Sequence, residues 1–398
     1  MNLPFSEALT QELIAIYGSP LYVYDGDRLR QTISQITQAV PYLNTRFHFA
    51  SVTNGNIALL KIVRDSGWGL HANTPGDIYL GLKAGFTPDQ IVYSGSNLNR
   101  ADIEQLLDWK ITRLNLDSTS QLDLFCNTLQ SKSIAPKIHL GIRLNAPEIT
   151  GDSRIGIRLE EFEDAITIAK KAGLNLTGLH FYRGTGTNAT TAFTQVIDQV
   201  IAIAQKLPDW RSLDFGGGFG YPYHADGAKF DWQEFGTVLS QKLSAVQPIE
   251  LIIEPGRAAI AHCGTLLAQV VSVKWQAEKQ IVGVDTTVGN LSVPSVHGGY
   301  RQIVTWAKSA PHHATDVCGN TTYSRDYLGR NCLLPALNSG DTIAILDTGA
   351  YGYAMSSHFL HRPRPAEVLL EGTQHRLIRK REDYRVLLEN QIFDPITL

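Results

Sequence analysis

Two short stretches hold residue types that could bind and act on a small anion. In Leu213-Asp-Phe-Gly-Gly-Gly-Phe-Gly220, apolar residues run into three consecutive glycines. With no Cβ at Gly216, Gly217 or Gly218, the backbone can curl and aim successive N–H groups at one point, as a phosphate cup requires. Further on, Ile253-Glu254-Pro255-Gly256-Arg257 again leads an apolar run into a glycine turn and adds a carboxylate and a guanidinium. Taken singly, the first stretch also reads as a surface loop, and Glu254 and Arg257 as surface charges of little energetic weight. Together they point to one anion site.

The elements that must position these loops follow from the hydrophobic pattern. Strand-like runs are expected at 46–52, 68–73, 91–95, 113–117, 137–145, 176–183, 212–215 and 250–254. Helical periods fall between them, at 56–65, 76–84, 101–109, 120–129, 160–172, 191–205 and 232–246. Eight strands alternating with helices, several rich in Val, Ile and Leu, predict a (β/α)8 TIM barrel. Past residue 266 the pattern changes to strands at 267–275, 280–285, 342–347, 367–370 and 376–379, with few helices between. The expected organisation is therefore α/β: a cofactor-binding barrel over 25–265 and a β-rich C-terminal domain, sandwich-like or barrel-like, over 266–398. Residues 1–24 are expected to join the β-domain. Active sites of such barrels lie at the carboxyl ends of the strands, commonly with a phosphate cup after the seventh and eighth. Gly216–Gly218 and Gly256-Arg257 occupy those two places.

Composition narrows the function classes. The chain has 398 residues, 43% hydrophobic and 18% charged, with a net charge of −3, which offers no basic surface for nucleic acid. No apolar run is long enough for a membrane span and no signal peptide is legible, so a cytoplasmic protein is expected. Cys126, Cys263, Cys318 and Cys332 are widely spaced, which argues against disulfides and a zinc site. His312-His313 with Asp316 and Cys318 matches no paired-ligand pattern, so it reads as an exposed loop and no metal is expected.

Glu254, at the mouth, could act as a general base, bind a hydroxyl or pair with a protonated ring nitrogen. Beside a phosphate cup, the last role fits pyridoxal phosphate. The residues also carry a resemblance. Leu213 to Gly220, Glu254 to Arg257, Gly349-Ala-Tyr-Gly-Tyr-Ala-Met-Ser-Ser357 and Arg362-Pro-Arg-Pro-Ala-Glu-Val368 resemble segments of the fold-type III pyridoxal-phosphate decarboxylases. The diaminopimelate decarboxylases are the nearest branch and the ornithine decarboxylases a more distant one. Gly18 to Asp25 and Gly178-Leu-His-Phe-Tyr-Arg-Gly184 extend the resemblance along nearly the whole chain. It implies a homodimer acting on an amino-acid-like small molecule. Gly216, Gly217, Gly218, Gly256, Arg257 and Tyr351 would hold the cofactor phosphate, with Thr185 adding a hydroxyl and Glu254 meeting the ring nitrogen.

Other positions depart from that pattern. Where the family has Tyr-Ala-Val-Lys-Ala-Asn, whose lysine forms a Schiff base, this chain has Phe49-Ala-Ser-Val-Thr-Asn54, which puts Val52 at the lysine. The ring-stacking imidazole becomes Tyr182, the strand-2 acid becomes His71, and the Cys-Glu pair becomes Thr322-Tyr323. The segment that grips the substrate carboxylate becomes Ser292-Val-Pro294, without its arginine. Losing the activating lysine and a positioned acid removes large rate factors. Three readings follow. One is an enzyme of decarboxylase ancestry, a carbon–carbon lyase by descent, with non-covalent cofactor and a chamber altered at His71, Tyr182, Thr322 and Tyr323. Another is a catalytically inactive homologue that binds a phosphorylated ligand or forms mixed dimers with an active relative. A third is a barrel enzyme on another phosphorylated substrate, with Glu254 and His71 as acid and base.

Overall fold

Eight apolar runs pair as parallel strands and close on themselves in the computed structural model, which describes residues 3–132, 137–308 and 310–392. They are β1 (Thr45–Ala50), β2 (Gly69–Ala72), β3 (Ile91–Tyr93), β4 (Arg113–Leu116), β5 (His139–Arg143), β6 (Leu176–His180), β7 (Ser212–Asp214) and β8 (Glu250–Ile253). Closure is made by β1 against β8, with Thr45 opposite Leu251 and Phe47 opposite Ile253. Each expected barrel strand is present; β1 starts one residue early, at Thr45, and all eight stop one to three residues short of the expected carboxyl end.

The intervening helices start where the local chemistry allows. Side chains of Asn56, Thr74, Asn99, Ser118 and Asp231 each accept a backbone N–H from the first turn of the helix that follows. Such caps satisfy donors that the helix itself cannot, typically worth about 1 kcal/mol each. The apolar faces then pack on the barrel, as with Leu59, Leu60, Ile62 and Val63 of Ile57–Asp65, all buried.

The barrel interior is partly polar. Asn115 donates to Ser94 Oγ and to Asp214 Oδ2, both at 2.9 Å. Glycine on the neighbouring strand makes room for it: Gly141 is the register partner of Asn115, and a Cβ there would lie 2.2 Å from Asn115 Oδ1. A polar layer in a packed barrel must be internally satisfied to be tolerated, and here strand-borne glycines leave the volume for it.

The chain divides into two compact units. The barrel unit comprises residues 29–222 and 226–260, and the other comprises 1–28, 223–225 and 261–398. In the second unit a nine-stranded mixed sheet runs in the order Tyr327–Pro335, His312–Cys318, Lys279–Val284, Gly264–Gln276, Leu21–Asp25, Ala366–Glu371 and Gln374–Arg379. Thr342–Ile345 branches from Gly264–Gln276 and pairs with Ile303–Thr305. Leu21–Asp25 lies parallel to Ala366–Glu371 and antiparallel to Gly264–Gln276. Leu13, Leu21, Val23, Leu267, Val304 and Val368 meet in its core. His312–Cys318 corrects the loop expected there. It is a strand, held parallel to Lys279–Val284 and antiparallel to Tyr327–Pro335. Ala314, Asp316 and the two histidines interrupt its apolar pattern, so pairing rather than periodicity makes it a strand. Among the described residues no helix is long and apolar enough to cross a membrane, and the four cysteines are unpaired.

Candidate active site

The glycine stretch begins directly after β7. Gly216 and Gly218 have φ of +67° and +95°, and a Cβ on either would lie 2.1 Å from a backbone oxygen, of Phe181 and Gly184 respectively. The turn therefore sits tightly against the segment that follows β6. The Gly216 amide donates to Asp214 Oδ1 at 3.0 Å, and the Gly218 carbonyl accepts from the Gly186 and Thr187 amides at 2.9 and 3.2 Å. Among the described residues the Gly217 and Gly218 amides donate to no protein acceptor. Buried Gly217 makes that noteworthy, since buried backbone donors are nearly always paired.

Aromatic packing anchors both ends of this turn. Phe215 and Phe219 are buried and pack around Phe193, whose ring stacks on Phe219 with centroids 4.7 Å apart. Phe230, Trp232 and Phe235 complete the cluster, with the Trp232 ring 4.5 Å from Phe219. Close-packed aromatics of this kind hold a loop in one conformation and make its amides available without an ordering cost at binding.

After β8, Gly256 abuts the end of β1: a Cβ there would lie 2.7 Å from Thr53 Cγ2 and 2.9 Å from Ala50 Cβ. Val52 stands on the same Ser51–Thr53 turn and is 44% exposed. Arg257 opens the short helix Arg257–Ile260, and its guanidinium carbon is 3.8 Å from where a Cβ on Gly186 would lie. Tyr182 is half-buried, and its hydroxyl bonds that of Thr185 at 2.7 Å. The Thr185 hydroxyl, expected to face an anion, thus already has a phenol partner.

Glu254, directly after β8, is the electrostatic centre of the mouth. It is 2% exposed, and His71 Nε2 and His180 Nε2 each lie 3.5 Å from one of its two oxygens. Burial, with like charge from neighbouring groups, pulls His71 well below its ordinary range, and burial lowers His180 to about 4. Both imidazoles are therefore neutral at pH 7, and these contacts are not ion pairs. Burial also raises the Glu254 carboxyl to about 7, against the opposing hydrogen bond from Asp214 and the field of Arg143. Asp214 is raised well above the carboxylate range, first by burial and then by the Glu254 charge. Arg143, at the end of β5, stands with its guanidinium carbon 5.0 Å from the centre of the Tyr182 ring. Glu254 Oε1 and both nitrogens of His71 and His180 have no hydrogen-bond partner among the described residues. Buried polar atoms without partners are uncommon in folded proteins, and their grouping here makes this mouth the candidate site.

Of the residues singled out from sequence, the barrel unit holds His71, Tyr182, Thr185, Gly216, Gly217, Gly218, Glu254, Gly256 and Arg257, with Val52 at the strand end. The other unit holds Thr322, Tyr323 and Tyr351. Thr322 is exposed, the Tyr323 ring meets Phe359 edge-on at 5.4 Å, and Tyr351 has φ of +57°. Asp326 ties the Thr322-Tyr323 turn by accepting from Thr321 Oγ1, Thr287 Oγ1 and the Val288 amide. Sequence reasoning passed over His180, Asp214, Asn115 and Arg143. The first two stood inside motifs already quoted, Gly178 to Gly184 and Leu213 to Gly220. The other two had no signal beyond their place near strand ends.

Comparison with known proteins agrees with this geometry. Residues 27–261 match the family model described as pyridoxal-dependent decarboxylase, pyridoxal binding domain. The chain is 32% identical to a diaminopimelate decarboxylase of Methanothermobacter thermautotrophicus, over 96% of this chain and 93% of that protein. It is 30% identical to that of Aquifex aeolicus, over 95% and 93% respectively. The crystal structure of Helicobacter pylori diaminopimelate decarboxylase complexed with L-lysine superposes with a TM-score of 0.88 at 29% identity, covering 96% of this chain and 98% of that one. With the closed barrel, the glycine turn after β7 and the acid after β8, these matches place the chain in the fold-type III pyridoxal-dependent decarboxylase family, whose cofactor is pyridoxal phosphate.

Proposed function

We propose that this chain holds pyridoxal phosphate non-covalently at the barrel mouth and acts there on an amino-acid-like substrate, by chemistry descended from decarboxylation. Gly216, Gly217, Gly218, Gly256, Arg257 and Thr185 would hold the phosphate and Glu254 the ring nitrogen. Tyr351, Thr322 and Tyr323 enter the proposal on the family resemblance alone. One observation carries it: Glu254 Oε1 is a buried carboxylate oxygen without a hydrogen-bond partner among the described residues, at the carboxyl end of the last barrel strand and beside a glycine turn with undonated amides. That donor and acceptor set fits a phosphorylated pyridine. When bound, the cofactor supplies an electron sink for carbanion chemistry.

What this chain's own residues would do is narrower than in the active relatives. Val52 can neither attach the cofactor nor move a proton, and Lys61 stands exposed on the helix Ile57–Asp65. Neutral His71 and His180 can accept or donate a proton at Nε2 beside Glu254. Tyr182 and Thr185 offer a hydroxyl pair at the rim. We also propose that the protein is cytoplasmic and a homodimer, with a mixed dimer as the form a non-catalytic homologue would take.

The test is to mix the purified chain with pyridoxal phosphate, follow absorbance, reduce with borohydride and map any adduct by mass spectrometry. A saturable spectral change without a lysine adduct is the expected result. A reduced lysine would overturn non-covalent binding, and no spectral change would overturn the assignment of the cofactor to this mouth.

A further inference from the structure

Arg143, which the proposed function leaves without a role, ends β5 in register with His180 on β6, and His180 is in register with Asp214 on β7. Side chains paired in this way lie side by side on one face of the sheet, so Arg143 shares the inward face that carries His180 toward Glu254. Its guanidinium carbon stands 5.0 Å from the centre of the Tyr182 ring. Arg143 is half-buried, yet among the described residues its guanidinium has neither a hydrogen bond nor an ion pair. The carboxylates whose field it feels, Glu254, Asp117 and Asp214, are occupied with other groups. Asp117 accepts from Ser96 Oγ at 2.5 Å, Asp214 accepts from the Gly216 amide and Asn115 Nδ2, and Glu254 lies against His71 and His180. A guanidinium keeps its charge and has five N–H donors to satisfy. The Tyr182 ring offers an attractive face but no carbonyl or carboxylate oxygen. An arginine this far out of water without an acceptor lacks an anion.

We infer that Arg143 binds a carboxylate of the amino-acid-like ligand, so that the mouth selects molecules that carry one. That this ligand is a substrate rests on the function proposed above, whereas an anion at Arg143 does not. A carboxylate is the anion that fits best, because its two oxygens match the planar guanidinium fork. A phosphate has its own donors elsewhere, in the Gly217 and Gly218 amides after β7, which donate to no protein acceptor among the described residues. The segment that the family resemblance assigns to the substrate carboxylate is Ser292-Val-Pro294 here and holds no arginine. Arg143 supplies from the barrel the positive charge that this segment lacks. The competing role is a contact with the cofactor itself, its phenolic oxygen taking the place of a substrate carboxylate.

The experiment is calorimetric titration of the chain, with and without pyridoxal phosphate, using pairs of probes that differ by one carboxylate: L-lysine against cadaverine, and L-glutamate against 4-aminobutyrate. In the wild type at least one amino acid should bind about tenfold or more tightly than its decarboxylated partner, as charge-assisted hydrogen bonds to one carboxylate allow. Arg143→Met should bring that ratio to within about twofold while leaving the affinity of the decarboxylated partner within a few-fold of the wild type, which general damage to the mouth would not do. Arg143→Lys keeps the charge without the fork, so its ratio should fall between the two, and this variant carries the test if Arg143→Met fails to fold. Cofactor affinity, followed by absorbance, should stay within a few-fold in both variants. The inference is overturned if neither pair shows a carboxylate preference in the wild type, the binding of no probe included, or if the preference survives in Arg143→Met. A roughly tenfold loss of cofactor affinity in Arg143→Met with the preference intact would assign Arg143 to the cofactor instead. If pyridoxal phosphate does not bind the wild type, the proposed function falls by itself. The titrations of the cofactor-free chain then decide the inference: a preference abolished by Arg143→Met upholds the carboxylate site, and its absence refutes it.

Discussion

Replacing Glu254 by Gln should stabilise the ligand-free barrel and weaken its ligand binding, and both effects have one cause. Burial lifts the Glu254 carboxyl from 4.5 to about 7, so the folded chain holds this proton more tightly than the unfolded chain does. Stability is therefore lost as pH rises from about 4.5 through about 7, and the full cost is present above that range. A gap of about 2.5 pH units corresponds to about 3 kcal/mol. Glutamine has nothing to ionise, so at pH 8 the variant should exceed the wild type by up to about 3 kcal/mol, less any misfit of its amide against Asp214. In a unit of about 230 residues this raises Tm by about 6–12 °C. The assay is thermal unfolding of both ligand-free proteins at a series of pH values from about 4 to about 9, repeated with pyridoxal phosphate. The difference should vanish toward pH 4. With ligand at about 100 times its Kd the wild type should gain about 2.7 kcal/mol, and the variant clearly less. A variant less stable than wild type at pH 8, or a difference that does not change with pH, would refute the reasoning.

Val52→Lys should give a borohydride-stable cofactor adduct at residue 52, seen by peptide mass mapping and absent from the wild type. Because Val52 is 44% exposed, its thermal stability should stay within about 0.5 kcal/mol. Gly216→Ala forces a positive φ and puts its Cβ 2.1 Å from the Phe181 carbonyl oxygen. It should lose about 3 kcal/mol or more in urea unfolding, because neither backbone segment can yield cheaply. Phe219→Ala removes a ring packed on Phe193, Phe230, Trp232 and Phe235 and should lose about 3–5 kcal/mol. Its spectral titration with pyridoxal phosphate should weaken as well, although Phe219 would not touch the ligand.

Much of the barrel was legible because parallel strands buried on both faces must be written as continuous apolar runs, and the helices between them keep a 3.6-residue period. All eight strands and the places of Gly216 to Gly218 and of Glu254 follow from that pattern. The strand His312–Cys318 was not legible. Its histidines, alanine and aspartate carry no alternation, and it is a strand because Lys279–Val284 and Tyr327–Pro335 pair with it on either side.

Sequence alone determined the family, the strand count of the barrel and the glycine turn with its acid, since each is a local run whose meaning survives without its neighbours. It also shows valine at position 52. Only the tertiary structure decided that His180, Asp214, Asn115 and Arg143 belong with Glu254. They come from strands far apart along the chain, and barrel closure brings their inward-facing ends to one mouth. Protonation was decided there too: whether His71 is a cation or a neutral imidazole, and whether Glu254 titrates near 4 or near 7, depends on water being excluded from around it, and no spacing of residues records that exclusion.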